Sequence, residues 1–254
     1  MSEQGECAII LHMKNLCAYI CAAAVALLAG CTPYTPAPVT PPAPVYTLPE
    51  GFCYLDTVAP TVRVDLKYSG NDNFVGRPIA GYNGTRAILR QDAAEAVRRA
   101  ADILARQGLG LLVWDAYRPS RAMKDFRAWS RTPDEQMKAR FYPNITKQGI
   151  YDGQYIGDVS EHSWGIAVDL TVVDLRTGKE LDMGGHHDLL DVSSATRSPL
   201  ITEQQRANRL ILRNAMAEAG MRNYSKEWWH YFLIDRGAVH SYNFEVRDDL
   251  VPAP

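Results

Sequence analysis

The stretch SEHSWGIAVDL, residues 160–170, sets His162 and Asp169 seven positions apart around Gly165, and EWWHY, residues 227–231, sets Glu227 three positions before His230. Two imidazoles and a carboxylate are donors of the kind a catalytic zinc takes, three from protein with a fourth position left for water. A glutamate three residues from a ligand histidine can then serve as general base. The chain has six histidines, and His12 falls in an N-terminal apolar region, so ring nitrogens must come from His162, His186, His187, His230 and His240. His186-His187-Asp188 is a rival donor set, although adjacent side chains of an extended chain diverge and both imidazoles rarely reach one ion. A lone histidine beside a strand is more often a hydrogen-bonded core or surface side chain than a ligand. Asp169 is the stronger sign, because a carboxylate inside an apolar strand is unfavourable by several kcal/mol unless paired or metal-bound.

These groups need rigid elements to hold them. GIAVDLTVVDL (165–175) alternates Ile166, Val168, Leu170 and Val172 against Ala167, Asp169 and Thr171, which predicts a strand whose aliphatic set faces away from Asp169. LGLLVWDAY (109–117) predicts a buried strand. AAEAVRRAADILARQG (93–108) places Ala93, Val97, Ala100, Ala101 and Leu104 on one helical face and stops at Gly108. Ser120 is expected to cap a helix through about Arg131, and Thr132-Pro133-Asp134-Glu135, with capping-box spacing and proline at the first helical position, predicts another directly after it. Thr202 and Gln205 form a second capping box opening residues 203–220, whose packed face is Ala207, Leu210, Ile211, Asn214 and Ala215. A final strand, HYFLI, starts at His230. Helices interleaved with strands, without repeats or a regular strand–helix–strand rhythm, predict an α+β domain with helices packed on a mostly antiparallel sheet.

The composition is that of a globular protein with one main domain: 254 residues, 46% hydrophobic and 22% charged. A formal charge of −2 and a pI near 6.3, without blocks of like charge, argue against nucleic acid or another polyanion as partner. Met13-Lys14-Asn15 leads into the apolar run LCAYICAAAVALLAGC (16–31), which reads as a signal peptide with translation starting at Met13. The run is shorter than the roughly 20 residues a membrane span needs. Its end, Leu28-Ala29-Gly30-Cys31, resembles the bacterial lipoprotein box, which implies cleavage before Cys31, a lipid on that thiol and an exported, membrane-anchored protein on the periplasmic side. Thr32 to Pro49 holds seven prolines and no charge, the composition of a semi-extended tether. The expected organisation is therefore a signal peptide at 1–30, a lipidated cysteine and linker at 31–50, and a globular domain at 51–254. Cys53 is then the one cysteine left in the mature domain, which must be stable without an internal disulfide, and nothing near it in sequence would activate it as a nucleophile.

The pattern His162-x-x-Gly165-x-Ala167-x-Asp169, followed by Glu227-x-x-His230, resembles the zinc D-Ala-D-Ala peptidases of the LAS superfamily. Four blocks in order, DLKYSGNDNFVGRPIAGY (65–82), WDAYRP (114–119), AVDLTVVDLRTGKELDMG (167–184) and YSKEWWHYFL (224–233), resemble its D-alanyl-D-alanine dipeptidase branch. The resemblance implies a hedgehog/D,D-peptidase-like fold and one Zn²⁺ per chain on His162, Asp169 and His230. It implies that Glu227 takes a proton from the attacking water and passes one to the leaving amine. Arg118 would steady the carbonyl oxygen as it becomes an oxyanion, its alternative being an ion pair with Asp115. Asp188, nineteen positions after Asp169, would accept the substrate ammonium, although His187 stands before it where an aromatic residue is expected. Ser160 would either bond the substrate carboxylate or cap the chain. Gly165 would permit the tight turn and Ala167 would keep the strand face thin beneath the metal. Tyr68, Phe74, Tyr82, Trp164, Trp228 and Trp229 are expected in the core and pocket wall. The implied reaction is hydrolysis of the small D,D-dipeptide D-Ala-D-Ala in the cell envelope. Two alternatives stand beside it: a D,D-carboxypeptidase on peptidoglycan stems, which needs an open cleft and no ammonium-binding carboxylate, and a wall-binding lipoprotein without activity. The sequence sets no oligomeric state.

Overall fold

The computed structural model describes residues 45–252; the stretches expected to be signal peptide, lipidated Cys31 and most of the tether lie outside the described residues. In chain order the elements are β1 (Tyr46–Thr47), β2 (Phe52–Tyr54), α1 (Leu55–Val58), β3 (Arg63–Val64), β4 (Ile88–Arg90), α2 (Gln91–Ala105), β5 (Leu109–Asp115), α3 (Ser120–Ser130), α4 (Lys138–Phe141), α5 (Lys147–Asp152), β6 (Ala167–Asp174), α6 (Glu203–Glu218), β7 (Met221–Asn223), β8 (His230–Leu233) and β9 (Leu250–Val251). Short 3₁₀ turns add Lys67–Ser69, Glu161–Trp164 and Val192–Ser194. Among the described residues no helix is long and apolar enough to cross a membrane.

The architecture is mixed α+β. Five strands form the main sheet in the order β3-β5-β6-β8-β7; β3 runs parallel to β5, and the other three pairings are antiparallel. Two small ladders stand apart from it, β2 with β4 antiparallel and β1 with β9 parallel. β8 is thus not the last strand, as the sequence predicts, because β9 follows it. β1 and the buried Leu48 also belong to the fold, so the folded unit begins earlier than Gly51, inside the proline-bearing stretch.

The core follows from periodicity. α2 buries Ala93, Ala94, Ala96, Val97, Ala100, Ala101 and Leu104, and its alanines let it lie close to β5, β8 and α6. Removing the larger of these side chains from water contributes about 1.5–3 kcal/mol each. Gly108, at φ +71, turns the chain out of α2 and into β5, a left-handed conformation that side chains resist. β6 is buried on both faces, so its alternation separates an aliphatic interior from a polar one rather than core from water.

Two helix-start signals differ in outcome. Thr202 and Gln205 bond reciprocally and open α6. Thr132 and Glu135 open nothing: the Thr132 hydroxyl bonds back to Trp129 O at 2.8 Å, and helical structure resumes only at Lys138. The physical reason is Lys147, a buried ammonium that takes Thr132 O at 3.1 Å and Thr132 Oγ1 at 3.0 Å as acceptors. Satisfying that charge outweighs a local cap. Ser120 likewise makes no capping bond, since Pro119 occupies the N-cap position of α3.

Candidate active site

Asp115, Asp169 and His230 stand in register on three adjacent strands, β5, β6 and β8. The β5–β6 register shifts between Val113 and Asp115, and an irregularity of this kind re-aims the residues at a strand end. His162 arrives from outside the sheet, on the 3₁₀ turn Glu161–Trp164. Ser160 caps that turn, its hydroxyl accepting from His162 N at 3.3 Å. Gly165 ends it at φ +73, and a Cβ there would lie 2.3 Å from Phe52 Cε1, so glycine is required both by the backbone and by the neighbouring ring.

The three donors meet closely. His162 Nε2 lies 3.1 Å from His230 Nδ1 and 3.3 Å from Asp169 Oδ1, and His230 Nδ1 lies 3.0 Å from the same oxygen. In a tetrahedral zinc site with bonds of about 2.0–2.1 Å, neighbouring donors are about 3.3–3.4 Å apart. The trio is therefore close to the spacing an ion needs. His162 Nδ1 is 2.7 Å from Ala116 O; as a donor to that carbonyl it leaves Nε2 with its lone pair toward the other two groups. All three residues are buried, and the donor set fits Zn²⁺.

The surrounding charges are unequal in their environments. Burial alone would raise Asp169, but His162, His187 and His230 outweigh it and hold the carboxyl well below its ordinary range. Glu227 is buried without a donor to its carboxylate among the described residues; burial first, then Asp169 and Asp188, push it well above a normal glutamate. Asp188 is raised, chiefly by burial, although the Tyr68 hydroxyl donates to its Oδ2 at 2.8 Å. The Arg118 guanidinium donates through Nε to Asp115 Oδ2 at 2.9 Å, and its Nη2 lies 2.9 Å from the same oxygen and 3.6 Å from Asp169 Oδ2. The expected pair with Asp115 exists, and it aims Arg118 at the site.

His162, Asp169, His230, Glu227, Arg118, Asp188 and Ser160 all line one cavity of about 290 Å³. His186 and His187 diverge: His186 turns to Arg140 O and packs on Phe141, whereas His187 Nε2 comes within 3.3 Å of Asp169 Oδ2. Of the six aromatic residues expected in core and wall, Tyr68 reaches the cavity, Phe74, Tyr82, Trp228 and Trp229 are buried away from it, and Trp164 is half-buried against the core; Tyr151, Tyr155, Tyr224 and Phe232 complete the wall. Cys53 is half-buried, with its thiol pushed up to about 11 by burial and nearby carboxylates, which disables it as a nucleophile.

Tyr68 and Tyr82 do more than fill the wall and core that their aromatic rings predict. Their hydroxyls bond Asp188 and Asp115, the latter at 2.6 Å. The available signal was chemical: a buried tyrosine hydroxyl needs an acceptor.

A buried His-Asp-His donor set beside a buried glutamate and a fixed guanidinium defines a metal-assisted hydrolase centre. Residues 49–249 match the family model described as D-ala-D-ala dipeptidase, and the chain belongs to that family. A D-alanyl-D-alanine dipeptidase of Enterococcus faecium is 39% identical over 78% of this chain and 98% of its own. One from Streptomyces coelicolor is 41% identical over 75% of this chain and 95% of its own. A solved structure of a vancomycin-resistance D,D-pentapeptidase in complex with Zn(II) is 16% identical and covers 60% of this chain and 76% of its own, with a TM-score of 0.36.

Proposed function

We propose that the protein hydrolyses D-alanyl-D-alanine to two molecules of D-alanine at this cavity. His162, Asp169 and His230 would hold one Zn²⁺, which when bound acts as a Lewis acid on the scissile carbonyl and on water. Glu227 takes the proton of the attacking water and delivers one to the leaving amine. Its burial makes it a better base than a free glutamate, and the charge of a bound dication would offset part of that rise. Arg118, held by Asp115, donates to the carbonyl oxygen as negative charge develops there. Asp188, fixed by Tyr68, accepts the substrate ammonium, and Ser160 bonds its carboxylate while capping the turn that carries His162.

The observation that supports this assignment is the convergence of all these groups on a cavity of about 290 Å³, at the lower end of ligand pockets, which run roughly 300–1,000 Å³. A buried carboxylate for an ammonium favours a free dipeptide over a blocked stem peptide. Comparing D-Ala-D-Ala with its N-acetylated form tests this: the free dipeptide is expected to be cleaved and the acylated one spared. Cleavage of the acylated substrate alone would make the protein a D,D-carboxypeptidase.

The protein acts, in this reading, on the periplasmic side of a bacterial membrane, anchored by a lipid on Cys31 and salvaging dipeptide released from the wall. The support is the Leu28-Ala29-Gly30-Cys31 motif and the uncharged, proline-bearing stretch after it. Labelling with a radioactive fatty acid is expected to mark the parent and not Cys31→Ser; equal labelling of both would remove the anchor.

A further inference from the structure

We propose that Asp169, His187 and Asp188 form a second, weaker divalent-cation site, one that shares the Asp169 carboxylate with the first and overlaps the place of the substrate ammonium. His187 Nε2 lies 3.3 Å from Asp169 Oδ2 and 3.4 Å from Asp188 Oδ1. These separations match the roughly 3.3–3.4 Å between neighbouring donors on a tetrahedral zinc. One donor atom from each residue falls within 4.8 Å of the other two, and all three residues are buried. One nitrogen and two carboxylate oxygens suit zinc or a neighbouring borderline ion.

The backbone and the neighbouring side chains build this cluster. Asp188 has φ +59, and this left-handed kink brings its carboxylate to the imidazole of the preceding residue. Tyr68 occupies Asp188 Oδ2 and leaves Oδ1 toward His187. The two oxygens of Asp169 are divided likewise, Oδ1 to His162 and His230, Oδ2 to His187. The His187 ring is set against Trp114 at 5.2 Å and Trp229 at 5.8 Å between centroids. Three acceptor-bearing groups thus converge where one ring N–H serves one oxygen well, whereas a dication serves all three.

Nearby positive charge makes the site the weaker of the two. Arg118 Nη2 is 3.6 Å from Asp169 Oδ2, whereas Lys67 and Arg140, which line a cavity of about 220 Å³ that His187 also borders, are paired with Asp65 and Asp72 and add little. An ion on the first site adds further repulsion. Resting on the ammonium role given to Asp188, the site predicts that excess zinc inhibits competitively with the dipeptide.

Equilibrium dialysis of the holoenzyme against increasing free Zn²⁺, with metal counted by mass spectrometry, tests the site directly. The parent is expected to bind two ions, the second about tenfold or more weakly. His187→Phe, which keeps an aromatic ring among the tryptophans, and His187→Gln, as a second variant checked for native circular dichroism, are expected to stop at one. A parent that saturates at one ion, or variants that still take two, would overturn the proposal. Two ions in the parent and one in the variants, with inhibition that is not competitive, would uphold the site and overturn the ammonium role of Asp188.

Discussion

Replacing Asp115 by asparagine removes one charge and almost no volume, and it tests how Arg118 is aimed. Asp115 is fully buried; it accepts from the Tyr82 hydroxyl at 2.6 Å and from Arg118 Nε at 2.9 Å, with His162 Nδ1 at 3.4 Å. The other carboxylate within reach of Arg118 is Asp169, 3.6 Å from Nη2. Without the Asp115 charge the guanidinium shifts toward Asp169, which both withdraws it from the carbonyl oxygen and competes with the metal for a ligand. A hydrogen bond between charged groups contributes about 1.5–3 kcal/mol, and breaking one side of a buried ion pair costs about 3–5 kcal/mol. With about 3–4 kcal/mol of that expressed in the transition state, kcat/KM falls about 10²- to 10³-fold. The assay is D-alanine release by protein loaded with one equivalent of zinc, with metal content and circular dichroism measured on the same sample. An Asp115→Asn protein that retains zinc and keeps kcat/KM within about threefold of the parent would show that Arg118 needs no such anchor.

Three further predictions follow from the site and the turn that carries it. Glu227→Gln is expected to retain zinc and lose about 10²- to 10⁴-fold in kcat, the range for a missing general base; parental turnover would remove Glu227 from that role. In the zinc-free protein, Glu227 is raised by burial, so its contribution to stability is present below the ordinary carboxylate range and is lost as pH rises through the folded value. Zinc-free Glu227→Gln is therefore expected to exceed the zinc-free parent by about 1–3 kcal/mol at pH 8 and by little at pH 4, and denaturant titrations showing no such divergence would contradict the burial argument. Gly165→Ala must adopt φ +73 and meet Phe52, which together cost about 2–4 kcal/mol, or a melting point about 4–16 °C lower; an unchanged melting point would mean that the turn relaxes freely.

Local chemistry made much of the site legible in the amino-acid string. Period-two alternation placed Asp169 opposite the aliphatic residues of β6, the glycine between His162 and Asp169 marked the turn, and Thr202 with Gln205 announced α6. What was hidden depends on distant partners. The Asp115–Asp169–His230 row exists only once β5, β6 and β8 are laid in register. Thr132 has the spacing of a cap, yet Lys147, fifteen positions away, claims its oxygens. His186 and His187 are the same residue type in adjacent places, and the folded chain alone sends one to Arg140 and the other to Asp169. Tyr46 and Thr47 sit among prolines, and their strand forms because residues 250 and 251 come back to meet them.

That last pairing stands apart from the sheet that carries the site. The β1–β9 ribbon is pinned by Leu48 N on Val251 O and by the Tyr54 hydroxyl between Leu250 and Arg247, while the strands that carry Asp115, Asp169 and His230 belong to a separate sheet. A ladder of two residues opens at a smaller cost than the five-stranded sheet, so β1 is expected to exchange its amide hydrogens with solvent long before the strands that carry the cavity do.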